Sequence, residues 1–179
     1  TLLHFFEQVR KAAPNMGRFR RFEGEFALES PRSDATHQWL GLRRTSLRTG
    51  HINPETLEQA YRFHRFVLDQ APHHLSISPL DVDYLELLFG FDLECEANHD
   101  EIIYAALIEG SPMGKLMDIP GARMIDVQPL LGCALSDSGD LQASFEIATR
   151  PRTKRGASSQ YAEDPISLLL TVRQYGPLD

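Results

Sequence analysis

An alternation of apolar and polar positions between residues 85 and 95 is the clearest pattern in this chain. The even positions are mixed and become acidic toward the end of the stretch. The odd positions are all apolar: Leu85, Leu87, Phe89, Phe91, Leu93 and Cys95. A period of two is typical of a long, half-buried β-strand. We therefore predict a central strand whose odd side chains, from Leu85 to Leu93, are buried on one side, so that Phe89→Ala costs about 3–5 kcal/mol.

A helix is predicted soon after this strand. Asn98 has a side chain suited to an N-cap, and Glu101 follows three residues later, which is close to a capping box. Ile102, Ile103 and Leu107 then recur at helical spacing. We expect the other elements of the chain to pack on this strand and helix.

The rest of the pattern predicts two more helices and several strands. In chain order these elements are a helix at 2–13, a basic connector at 17–21, strands at 22–29 and 38–49, a helix from Asn53 to near Pro72, a strand at 125–135, a hairpin loop at 136–140, and strands at 141–147 and 166–172. The last three strands follow one another without a helix, which favours antiparallel pairing. We therefore predict an α+β fold, with a mostly antiparallel sheet of about six strands and two or three helices packed on one face.

The length of the chain suits one domain. Its 179 residues, 42% of them hydrophobic, are enough to bury a core without disulfides or metals. Because no linker divides the sequence, we predict a single α+β domain over residues 1–179. A basic segment at about 150–160 lacks hydrophobic periodicity and is predicted to be a mobile loop, where limited proteolysis should cut first.

The cysteines and the length of the apolar runs indicate the cellular compartment of the protein. No run approaches the roughly 18 apolar residues of a membrane helix. Cys95 and Cys133 lie on predicted apolar strand faces, so we interpret them as free, buried thiols. We therefore expect a cytoplasmic protein that does not contact a membrane. The first residue, Thr1, is not an initiator Met, which indicates a trimmed start.

Charge is distributed unevenly along the chain, whose net charge is −7. Residues 1–65 carry 11 Lys and Arg against 7 Asp and Glu, whereas residues 66–149 carry 2 against 15. We interpret this as the ends of the chain lying against an acidic middle. The alternative interpretation is an acidic face that meets a basic partner.

Two groups of basic side chains are candidates for contacts with an anion or a partner. They are Arg43, Arg44 and Arg48 in the strand at 38–49, and Arg150, Arg152, Lys154 and Arg155 in the predicted loop. Arginines are interleaved with phenylalanines at residues 18–22, and such side chains can bind phosphates and stack on bases. A chain of net charge −7 repels a polyanion at long range, so we do not expect nucleic acid to be the partner.

The start of the predicted helix at residue 98 holds the candidate catalytic residues, His99, Asp100 and Glu101. A histidine beside carboxylates can bind a divalent metal or act as a general base. The structural alternative is that Asn98 caps the helix and the two acids complement its dipole. We favour the structural interpretation.

Neither a metal nor a cofactor is predicted. Asp81 and Asp83 are separated from His99 by a strand of roughly 40 Å, so these residues cannot share an ion unless Gly90 breaks that strand. The nucleotide-binding and hydrolase motifs GxGxxG, GxxxxGK[ST], GxSxG and HExxH are all absent.

These patterns favour a binding or interaction module without an identifiable catalytic constellation. Its partner is expected to be a protein or a small molecule. Arginines in the strand at 38–49 discourage open-ended strand pairing, so we expect a monomer or a closed homodimer. The alternative function is a small metal-dependent or acid–base hydrolase that uses the region of His99 and Asp100.

Overall fold

The computed structural model describes residues 1–32, 35–95, 97–121, 126–149 and 165–176. The chain divides into two compact units, Thr1–Asp81 and Val82–Asp179. Each unit contains one antiparallel four-stranded sheet, so the predicted α+β class is confirmed. The described residues form eight strands in two sheets, where the sequence suggested about six strands in one. The single-domain interpretation stays a prediction, and the basic segment at about 150–160 lies outside the described residues.

The first unit consists of a sheet and two helices. Its elements are α1 (Leu2–Ala12), β1 (Arg18–Phe22), β2 (Glu25–Glu29), β3 (His37–Arg43), β4 (Leu47–Ile52) and α2 (Leu57–Leu75), followed by a short 3₁₀ helix (Pro79–Asp81). The strands lie in the order β1-β2-β3-β4. The buried core draws on both helices and on β2 and β3, and comprises Phe5, Phe6, Val9, Met16, Leu28, Leu40, Phe63, Val67 and Ala71.

Strand β1 corrects the prediction of a basic connector at 17–21. The chain runs through a hairpin whose turn contains Gly24 at φ 75°, a left-handed conformation that glycine adopts without steric cost. All five residues of β1 are exposed, and three are arginines. The two phenylalanines of this strand, Phe19 and Phe22, are three residues apart, so the sequence shows no period-two pattern here. The predicted strand at 38–49 is likewise a hairpin, formed by β3 and β4.

Helix α2 begins later and ends later than predicted. Its N-cap is Thr56, whose hydroxyl accepts a hydrogen bond from the Gln59 N–H at 3.2 Å. Pro72 lies inside the helix, which continues to Leu75 and ends at Ser76 in a left-handed conformation. Leu75 packs against the core of the first unit, and this contact favours the last turn despite the proline.

The second unit has a sheet with one short helix. Its elements are β5 (Tyr84–Leu93), α3 (His99–Leu107), a 3₁₀ helix (Gly114–Met117), β6 (Leu130–Ala134), β7 (Leu141–Ala148) and β8 (Ile166–Tyr175). The strands lie in the order β5-β8-β7-β6. The hairpin between β6 and β7 matches the predicted loop at 136–140, where Asp140 accepts hydrogen bonds from the Ser138 hydroxyl and the Leu141 N–H.

The predicted burial of β5 is wrong, although the strand itself is confirmed. This strand lies at an edge of its sheet, and nine of its ten residues are exposed. Phe91 is 59% exposed and Phe89 is half-buried. Alternation in sequence shows that a strand has one apolar face, but it does not show that another element covers that face. The prediction that Cys95 and Cys133 are buried is also corrected, because Cys95 is half-buried and Cys133 exposed, both as free thiols.

Candidate interaction surface

The register of the second sheet places most of the apolar positions of its four strands on one face. Phe89 of β5 pairs with Leu170 of β8, which pairs with Phe145 of β7, which pairs with Leu131 of β6. Directly paired residues project from the same face of a sheet. We call this face the apolar sheet face, and its members are Leu85, Leu87, Phe89, Phe91, Leu93, Leu131, Cys133, Leu141, Ala143, Phe145, Ile147, Ile166, Leu168, Leu170, Val172 and Gln174.

Much of the apolar sheet face is open to solvent. Seven of its large side chains are between 37% and 70% exposed: Leu85, Leu87, Phe91, Leu93, Leu131, Phe145 and Leu170. Ile103 of α3 packs with Ile147 and Ile166, so the helix covers the end of the face where these two residues lie. None of the sixteen members carries a charge. Contiguous exposed apolar surface of this kind is typical of binding surfaces.

The opposite face of the same sheet carries most of its charged and polar side chains, together with one leucine from each of β5, β6 and β8. Arg173 contacts the Glu86 carboxylate, with its Nε 2.8 Å from the carboxylate oxygen, and its guanidinium lies 4.5 Å from the ring centre of Tyr84. Hydrogen bonds to the Tyr175 hydroxyl and to Glu86 raise the pKa of Arg173. These contacts join β5 to β8 from the solvated side. The two faces of one sheet therefore differ in chemistry.

The candidate catalytic residues lie at the start of α3, where the sequence placed them. His99 is 6% exposed, and its Nε2 lies 3.1 Å from the Cys95 carbonyl oxygen, to which it donates. Asn98 is the N-cap and accepts a hydrogen bond from the Asp100 N–H at 3.2 Å. The Asp100 carboxylate accepts hydrogen bonds from the N–H of Val127 at 3.0 Å and the hydroxyl of Thr149 at 3.4 Å.

These contacts are typical of residues that hold α3 in place. Asp100 connects the helix to the segment before β6 and to the residue after β7, while Glu101 is exposed. Across the part of the chain that the structure describes, no group of three or more His, Cys, Asp or Glu side chains could hold a metal ion. The absence of a metal in the protein stays a prediction.

The candidate arginines of the first unit lie on β3, β4 and their connecting turn, and all three are exposed. Arg43 pairs with Glu25 on the neighbouring strand. Arg43 and Arg48 also line a shallow depression together with Trp39. Pairing with Glu25 reduces the charge that Arg43 offers to an anion. The other predicted contact residues, Arg150, Arg152, Lys154 and Arg155, lie outside the described residues.

A serine–histidine contact in the first unit was not foreseen from the sequence. The Ser30 Oγ lies 3.1 Å from His37 Nδ1 and accepts a hydrogen bond from the Gln38 N–H at 2.9 Å. Such a pair can activate a nucleophile, but Ser30 is completely buried and therefore inaccessible to a substrate. The contact joins the end of β2 to the start of β3. Ser30 and His37 are seven residues apart across a loop, and no regular spacing in the sequence predicts that they contact each other.

The comparisons with known proteins add no family. No protein-family model matches the chain, and no curated protein matches it significantly. No helix within the described ranges combines the length and apolar character needed to cross a membrane.

A histidine network lies in the first unit, between β3, β4 and α2. The Thr49 hydroxyl and His64 Nδ1 lie 2.7 Å apart, and Gln38 lies 3.4 Å from His51 Nδ1. Burial lowers the pKa of both histidines, and the nearby His51 lowers the pKa of His64 further. The folded unit therefore holds both side chains in the neutral form more strongly than the unfolded chain does.

This network predicts that acid weakens the first unit. Because the folded pKa values of His51 and His64 lie below 6.5, their contribution is complete above pH 6.5 and falls as the pH drops through the folded values. We expect the urea midpoint, followed by fluorescence of Trp39, to be lower at pH 5.5 than at pH 7.5. His64→Gln should reduce this difference without abolishing it, because His51 stays in place and desolvation also lowers the pKa of His74 on α2. An equal difference in His64→Gln would contradict the prediction.

Proposed function

We propose that this protein is an interaction module that binds a protein partner through the apolar sheet face. The observation that supports this proposal is the exposure of seven large apolar side chains on a face without charge. Removing apolar surface from water stabilises a complex by about 25 cal/mol per Å² of buried area, so covering even part of this face favours association. A cytoplasmic location belongs to the proposal, in keeping with two free cysteines.

The shape of the face supports a protein partner in preference to a small molecule. Small-molecule sites are concave and surround most of their ligand with a few placed polar groups. The apolar sheet face is a four-stranded surface on which Gln174 is the one polar member. Such a surface can bury a large apolar area, but it has few polar groups that would orient a small ligand.

The arrangement of titratable groups is the reason that we do not propose catalysis. An active site brings a nucleophile or base, its orienting partner and a substrate pocket together. At the start of α3, His99 donates to a carbonyl oxygen and Asp100 accepts from the backbone of another segment. The Ser30 hydroxyl is sealed from solvent. Neither set leaves a reactive atom facing a pocket.

Adjacent residues of β6 offer a matched test. Leu131 lies on the apolar sheet face and is 70% exposed, whereas Leu130 lies on the opposite face and is 64% exposed. We would replace each in turn by the photo-reactive p-benzoylphenylalanine in the full chain and irradiate cells that produce it. Discrete adducts are expected from position 131 and not from position 130. If position 131 gives no adduct, or if both positions give the same adducts, the proposed binding surface is wrong.

A further inference from the structure

Resting on this proposed function, we infer that the partner on the apolar sheet face is a second copy of the same chain. The two faces would pack against each other across a two-fold axis and form a sandwich of two four-stranded sheets. In a two-fold interface the same patch must complement itself. A face with no charged member meets this condition, because no like charges are brought together.

The geometry of the face suits another sheet. Two sheets pack face to face at a distance of about 10 Å, with side chains of the inner faces interdigitating. Phe145 of β7 lies next to the small Ala143 on the same face, and Ala143 pairs with the small Cys133 of β6, which gives the ridges and hollows that such packing uses. A helix would need a groove, and the register of four adjacent strands presents a broad sheet surface instead.

The size of the face approaches what each partner contributes to a small specific interface. With strands about 4.8 Å apart and about 3.3 Å per residue, the face measures roughly 19 Å by 30 Å at its widest. Its projected area is about 500 Å², and projecting side chains increase the accessible area toward the roughly 600–1,000 Å² that each partner contributes to a specific interface. Helix α3 occupies one end, so the second copy would sit on the part farther from Ile147 and Ile166.

The core of the second unit gives a reason for such an interface. The buried cluster of the first unit has nine residues, whereas the cluster formed by the described residues of the second unit has four, Ile103, Val127, Ile147 and Ile166. A sheet with one uncovered apolar face gains by burying that face against another sheet. The second copy would complete the core of the second unit, which is small in the single chain.

Charge predicts how salt should affect this association. Residues 82–179 contain 7 Lys and Arg against 16 Asp and Glu, so two copies of this unit repel each other. Salt screens that repulsion and strengthens the hydrophobic contact. We expect the dimer dissociation constant to fall when NaCl is raised from about 50 mM to about 500 mM. A rise would overturn the inference, because it would show that opposite charges hold the complex together.

The test measures the mass of the purified full chain by sedimentation velocity over a range of concentrations. Wild type and Leu130→Asp should both reach the mass of a dimer. Leu131→Asp should raise the dissociation constant at least about 100-fold, because the interface would then bury an unpaired carboxylate. Both leucines are mainly exposed, so each variant should fold, and circular dichroism checks that they do.

A second measurement needs no variant. The exposed thiol of Cys133 lies on the apolar sheet face, so its alkylation by iodoacetamide should slow as wild-type protein is concentrated into the dimer range. A constant alkylation rate across a confirmed dimerisation would show that the copies meet elsewhere and would overturn the inference. A dimer that survives Leu131→Asp would lead to the same conclusion, with the open edge of β5 as the next surface to test.

The outcomes separate this inference from the proposed function. A monomer at all concentrations, together with position-131 adducts to a protein of different mass, would overturn the second copy and leave the binding surface intact. A monomer without face-specific adducts would overturn both. Position-131 adducts with the mass of two chains, combined with loss of the dimer in Leu131→Asp, would support both.

Discussion

Replacing Phe5 by alanine is expected to destabilise the first unit by about 3–5 kcal/mol, the usual cost of removing a buried aromatic ring. Phe5 is completely buried, and its ring centre lies 5.6 Å from that of Phe6. The matched change is Phe91→Ala in β5, where the ring is 59% exposed. In dilute monomer this second change should cost less than about 1 kcal/mol, because little apolar contact is lost.

Urea unfolding of the two variants measures the contrast. Trp39 is the one tryptophan of the chain and lies on β3, so its fluorescence follows the first unit. Circular dichroism follows both sheets and is the appropriate signal for Phe91→Ala. Similar losses for the two variants would mean that Phe91 is covered in solution, and the exposure described for the apolar sheet face would be wrong.

Local signals in the sequence identified elements more reliably than they identified burial. The alternation from Leu85 to Leu93 correctly indicated a strand, and Asn98 correctly indicated a helix N-cap. Both depend on neighbours within a few residues. Burial of β5 depends on what lies across the sheet, and its pairing partner β8 begins more than seventy residues later, at Ile166. No periodicity within the strand carries that information.

The candidate site shows the same difference between local signals, which the sequence carries, and contacts between distant segments. The sequence located His99 and Asp100 at a helix start, but not the tertiary contacts of Asp100 with Val127 and Thr149. It assigned apolar faces to individual strands, although only the order β5-β8-β7-β6 joins those faces into one surface. Strand order follows from pairings between distant segments, so the broad face became visible only in the folded sheet. Each strand alone resembled an ordinary core strand.

Gly50→Ala is expected to destabilise the β3–β4 hairpin by about 1–3 kcal/mol, the range for overpacking a filled site. Gly50 pairs directly with Trp39, whose indole lies over the glycine. A methyl group at position 50 would lie 2.1 Å from the indole Nε1 and 2.2 Å from the adjacent ring carbon. The ring must therefore leave its place, and the contacts that it makes there are lost.

The fluorescence of Trp39 measures the displacement of its ring. Trp39 is half-buried in the folded unit, so moving the indole into water should shift its emission to longer wavelength and lower the urea midpoint. Gly132→Ala is the matched control, because Gly132 also lies in a strand but the nearest atom to an added methyl group is 3.9 Å away. The control should leave both the emission and the midpoint unchanged. If Gly50→Ala behaves like Gly132→Ala, the indole does not rest on Gly50, and the packing described for β3 and β4 is incorrect.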